Sequence, residues 1–157
     1  MKRIEDHLLD RLVAAAKASP RRRRNHDFHR WEEPVQRLLN ALEPDTYIRP
    51  HRHQNPDKVE VFLCLRGRVA VLTFDEEGRL AETCVLSPGG PAHGAEVPPR
   101  TWHALVALEP GSAIFEVKEG PYDPATDKEF ASWAPAEGTP EAALYLEQLR
   151  AAVIGDR

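Results

Sequence analysis

Six short runs between residues 59 and 118 constrain what this chain can fold into more than any other feature. Residues 59–65, 69–74, 80–86, 96–97, 103–108 and 112–118 are rich in β-branched, aromatic and aliphatic side chains. Gly67, Gly78, Pro88-Gly89-Gly90, Pro98-Pro99 and Pro110-Gly111 punctuate them with turn signals. The gaps leave no room for a crossover helix, which parallel neighbours require, so the strands are expected to be antiparallel. Strands this short and this numerous predict a mainly β fold, either a closed barrel or a double-sheet jelly roll.

Helical spacing is expected at both ends. Ile4, Leu8, Leu12 and Ala16 recur on one face, and Ser19-Pro20 ends the pattern, predicting a helix over 4–18. Val35, Leu38, Leu39 and Leu42 also fall at helical spacing, with Pro34 at a position that suits a first turn, so 34–42 is read as a second helix. A closing helix is expected over 140–152, with Ala143, Leu144, Leu146, Leu149 and Val153 as its apolar set. The chain has 157 residues, which suits one domain. Its expected parts are an extension packing on the barrel (1–45), the β-barrel core (46–120), and a C-terminal loop and helix (121–157).

Charge and cysteine usage narrow the setting. A formal net charge of -4 argues against a dedicated nucleic-acid binder, whose phosphate contacts demand a basic surface. No apolar run approaches the roughly 20 residues of a membrane span. The charged, amphipathic N-terminus does not read as a signal peptide, so a cytoplasmic setting is expected. Cys64 and Cys84 each sit in an apolar strand-like run and are read as reduced core thiols. Within 59–65, Glu60, Phe62 and Cys64 share one face, and Val61, Leu63 and Leu65 the other. If Glu60 faces the barrel interior, the second apolar face also needs cover, and a homodimer is expected.

The residues that promise chemistry are His51, His53, Glu60 and His103. Two histidines one residue apart on an extended segment point to the same side. With a carboxylate and a third histidine from other strands, they have the ligand types of an imidazole-rich metal site. His51-x-His53, Glu60 and Gly67 resemble the first motif of the cupin superfamily, and Pro98-Pro99-Arg100-Thr101-Trp102-His103 resembles the second. That resemblance implies one divalent metal held by His51, His53, Glu60 and His103. Six residues separate His53 from Glu60, more than the family usually has, so Glu60 stands either as a ligand or as a hydrogen-bonding neighbour of a ligand histidine. Arg100 occupies a position where the family pattern has glycine.

The flanking segments 19–23, 33–44 and 120–130 resemble the WbuC-type cupin fold metalloproteins, a likeness that covers nearly the whole chain. It implies an association with bacterial surface-polysaccharide biosynthesis, without a reaction. Three imidazoles and a carboxylate suit Fe, Mn, Zn, Ni or Co, and raw affinity does not choose among them. Arg49, Arg66 and Trp102 are the candidate substrate-binding residues. Arg49, Arg52 and Arg66 would either steer an acidic substrate or serve as edge-strand charge. Arginines 21–24 read as a solvated run or a phosphate-binding arm, and His93 and Glu116 as hydrogen-bond partners of the ligands. Two functional classes remain open: a metal-dependent enzyme on a small polar molecule (an isomerase, epimerase or iron dioxygenase), and a non-catalytic metal-dependent sensor.

Overall fold

In the computed structural model, which describes residues 1–155, two five-stranded antiparallel sheets face each other and a helix covers the outside of each. The chain begins with α1 (Asp6–Ala18), then β1 (Arg23–Asp27), β2 (Val35–Leu42), β3 (His51–Arg52), β4 (Glu60–Arg66) and β5 (Val69–Phe74). It continues with β6 (Leu80–Leu86), β7 (Gly94–Val97), β8 (Trp102–Ala107), β9 (Ser112–Glu119), β10 (Glu129–Phe130) and α2 (Pro140–Gly155). One sheet runs β1-β2-β9-β4-β7 and the other β10-β3-β8-β5-β6. This is the expected mainly β, jelly-roll arrangement, although the two sheets do not close into one continuous barrel.

Residues 34–42 correct the sequence reading: they form strand β2, not a helix. The apolar residues mimic helical spacing because both faces of this strand are covered. Leu39 and Ala41 pack beneath α1 with Leu9, Leu12 and Ala16, while Leu42 points into the core between the sheets. A doubly covered strand loses the alternation that would identify it. Strand β8, buried at all six positions, is the second such case.

Local chemistry sets the helix ends. Ser19, which precedes Pro20, is extended and closes α1. Thr139 caps α2 by accepting from Ala142 N–H at 3.3 Å, and Pro140 fills the first turn, where no N–H is needed. The buried stripe of α2 is Ala142, Leu146, Leu149 and Val153. Ala143 and Leu144, expected in that set, instead face solvent. The stripe covers Ala70, Leu72, Phe74, Ala104 and Val106 on the outer face of the second sheet.

Between the sheets the interior is apolar at one end and polar at the other. Phe62, Val69, Val71, Leu86, Leu105 and Ile114 fill the apolar end, and the free thiols Cys64 and Cys84 belong to it. Stepping two residues along each strand carries the interior into the polar end: Phe62 to Glu60, Leu105 to His103, and Ile114 to Glu116 and Lys118. Gly67 makes the tight β4–β5 connection. Its φ of +70° and the closeness of Ser112 to where a Cβ would stand leave no space for a side chain.

Candidate metal centre and cavity

His51, His53, Glu60 and His103 converge at the polar end, with their ligand atoms all within 4.8 Å of one another and every residue buried. Three separate strand segments deliver them. His51 lies on β3 directly opposite His103 on β8, and Glu60 opens β4. His53 follows two residues after His51, so the expected same-side placement holds: both are buried, and Arg52 between them is turned outward.

Each imidazole is oriented by a backbone carbonyl. Nδ1 of His51 meets Arg49 O at 2.9 Å, and Nδ1 of His103 meets Thr101 O at 2.9 Å. His53 Nδ1 meets Asp127 O. A carbonyl only accepts, so each Nδ1 carries the hydrogen and each Nε2 is left as the free position. Nε2 of His53 and of His103 both approach the same oxygen, Glu60 Oε2, at 3.2 and 2.9 Å. Lone pairs facing a carboxylate need a positive centre between them, either a proton or a metal ion. Burial, with Lys128 and His103 adding to it, holds His51 well below its ordinary pKa and therefore neutral. For Glu60, burial acts upward, yet contact with His103 and His53 keeps it well below the usual carboxylate range. A neutral His51, an ionised Glu60 and two further imidazoles turned to the same carboxylate are donor types that suit a divalent ion, so the donor set fits one.

A second layer of buried charge supports the four. Asp127 receives Lys58 Nζ at 3.1 Å and Lys118 Nζ at 2.9 Å, while its carbonyl orients His53. Lys118 Nζ also lies 4.0 Å from Glu60 and 3.9 Å from Glu116. Glu116 accepts from Asn40 Nδ2 at 2.5 Å, and burial together with the nearby Glu60 charge pushes its pKa up to about 8. Sequence reasoning named Glu116 and missed Asn40, Lys58, Lys118, Asp127 and Lys128. The available signal was polar residues at the inward positions of β9, Glu116 and Lys118, in line with the core residue Ile114.

His51, Glu60 and His103 open onto a cavity of about 580 Å³, within the range of small-molecule sites. Of the candidate substrate residues, Arg49 lines it. Arg66 lies elsewhere, paired with Asp10 at 2.7 Å and with Asp6 at 3.7 Å on α1. Trp102 sits on the outer face among the α2-side core residues, its indole donating to Glu76 and Arg52 stacked 4.2 Å from its ring. His93 is remote, bonded to Ser87 O. Arg21, Arg23 and Arg24 line the cavity rather than forming only a solvated run, and Arg22 pairs with Asp45. Arg100, with φ of +63°, adopts the conformation that explains glycine in the related pattern, and Asp57 holds it at 2.8 Å.

Three solved structures show the fold. KdgF from Halomonas sp. is 22% identical with a TM-score of 0.52, over 68% of this chain and 84% of that one. The capsular polysaccharide assembling protein CapF from Staphylococcus aureus is 18% identical with a TM-score of 0.57, over 68% of this chain. The present chain spans only 28% of CapF. An oxalate oxidase in complex with the substrate analogue glycolate is 14% identical with a TM-score of 0.55, over 90% of this chain and 77% of its own. All three are cupin-fold proteins, and the architecture here is the cupin fold. No curated protein matches the sequence. Residues 4–86, more than half of the chain, match the family described as Domain of unknown function (DUF6016), and the chain belongs to that family.

Proposed function

We propose that this protein binds one divalent transition metal through His51, His53, Glu60 and His103 and acts on a small polar molecule admitted by the cavity. The observation that carries this reading is the gathering of three imidazoles and Glu60 within 4.8 Å, with each Nδ1 spent on a carbonyl and Nε2 of His53 and of His103 both turned to Glu60. The metal would supply Lewis-acid polarisation of a bound oxygen atom. The chain's own part is to orient the imidazoles, keep Glu60 ionised, and place Lys118 and Glu116 beside the bound molecule. Those buried polar groups around the ligand set favour an enzyme over a passive sensor.

A WbuC-type identity and a surface-polysaccharide precursor as substrate are the finer form of this reading. The flanking segments support it, as does the fold shared with a capsular polysaccharide assembling protein. On the same reading the protein is cytoplasmic, residues 46–120 are the core to which 1–45 and 121–157 add walls, and the half-exposed Leu63 face of β4 contributes to a homodimer. The test is metal content by plasma mass spectrometry, on untagged protein beside His103→Ala. About one equivalent in the parent, lost in the variant, is expected. No metal after reconstitution would overturn the proposal and leave the histidines as acid–base or ligand-binding groups. With metal present, catalytic conversion of a sugar substrate separates the enzyme from stoichiometric binding by a sensor.

A further inference from the structure

We infer that Arg49 and Lys128 form an anion clamp on either side of the histidine cluster, so that the molecule taken by this cavity carries a carboxylate or a phosphate. The inference deepens the ligand-site reading above and rests on it.

Backbone register sets the two cations. Glu129 pairs with Arg52 and Phe130 with His51, and the Asp127 carbonyl meets His53, which brings the next residue, Lys128, to the His53 end of the cluster. Arg49 precedes His51 by two residues. Both cations line the cavity onto which His51 and His103 open. The two histidines of the first motif are therefore bracketed by one fixed positive charge at each end.

Neither charge is neutralised. Arg49 donates Nη2 to Ala131 O at 2.6 Å, and its guanidinium lies 5.5 Å from the centre of the Phe130 ring. These contacts fix the side chain without spending its charge, and its Nε is buried with no hydrogen-bond partner. An arginine held this way, with donors to spare, is preorganised for a carboxylate or phosphate. Lys128 likewise has no carboxylate partner among the described residues. Its neighbour Asp127 is already shared by Lys58 and Lys118, and Glu137 is shared by Arg21 and Arg23. Counted over the whole lining, six arginine and lysine side chains face five carboxylates, the latter including Glu60 and Glu116 beside Lys118, so the cavity keeps a positive excess. A divalent ion would increase that excess. An anionic ligand supplies the missing charge, and the remaining volume accommodates its scaffold.

The test is isothermal calorimetry with two probes, inorganic phosphate and acetate, on metal-stripped and metal-loaded protein, with metal content measured on each sample. The stripped wild type is expected to bind at least one probe, and the preferred probe separates phosphate from carboxylate. Arg49→Gln and Lys128→Gln are each expected to weaken that binding about tenfold, the scale of one charge-assisted contact, without changing metal content. Lys128 is an exposed residue, so its variant carries the test if Arg49→Gln folds poorly. Failure of both probes to bind would overturn the inference. So would wild-type affinity in both variants, or binding that needs the metal and ignores the two cations. Absence of metal with anion binding intact would refute the metal reading alone.

Discussion

Asp127→Asn is the perturbation whose size follows most directly from the geometry. The side chain is 3% exposed and bridges Lys58 and Lys118, themselves 2% and 5% exposed. Asparagine keeps the volume but removes the charge and turns an amide N–H₂ towards one ammonium. Lys118 retains Glu116 at 3.9 Å and Glu60 at 4.0 Å, whereas Lys58 is left with only Pro121 O. Removing one partner of a buried pair costs about 3–5 kcal/mol, and the carboxylates left to Lys118 place this case near 3 kcal/mol. With a urea m-value of about 2 kcal/mol/M for a domain of this size, the midpoint should fall by roughly 1.5 M. The assay is urea unfolding followed by circular dichroism. Adding Lys58→Met should recover at least about 1 kcal/mol by removing the stranded charge. A midpoint within about 0.3 M of wild type, or no recovery in the double variant, would refute the reasoning.

Other expectations follow from single features. Gly67→Ala should cost about 2 kcal/mol or more in the same unfolding assay, since the residue would carry a positive φ and press on Ser112. Near-wild-type stability would contradict that. Hydrogen bonds from Arg21, and then from Arg23, outweigh partial burial and hold the Glu137 pKa at about 2, against an ordinary value of 4.5. A depressed carboxylate pKa adds stability that is fully present above the ordinary value and lost as pH falls through the folded one. The stability gap between wild type and Glu137→Gln should therefore be constant near neutral pH, shrink below 4.5 and vanish near 2. A gap independent of pH would rule out the pairing of Glu137 with Arg21 and Arg23 as its cause.

The β-rich centre was legible because turn residues interrupt apolar runs at intervals too short for helices. Strand β2 was not, since α1 covers one of its faces and the inter-sheet core the other, erasing the period of two. The histidines were legible because their spacing survives on an extended strand. The lysines and Asp127 were not, because nothing in 120–128 signals that Asp127 folds back beneath Lys58 and Lys118. Only three-dimensional register brings Asp127 and Lys128 to the His53 end of the cluster, through the two-residue strand β10. Trp102 and Arg66 show the opposite failure, in which nearness in sequence to the motifs did not become nearness in space. Each sits one residue out of phase with the inward-facing positions, Trp102 beside His103 on β8 and Arg66 beyond Cys64 at the irregular end of β4.

The central claim is that three Nε2 atoms and the Glu60 carboxylate share one metal ion. Anomalous diffraction from crystals of the metal-loaded protein, at the absorption edge of the metal found by mass spectrometry, tests it most directly. The account predicts one strong peak bonded to Nε2 of His51, His53 and His103 and to the Glu60 carboxylate, with every Nδ1 still on its carbonyl. A peak elsewhere, coordination through Nδ1, or Glu60 turned away from the ion would contradict it.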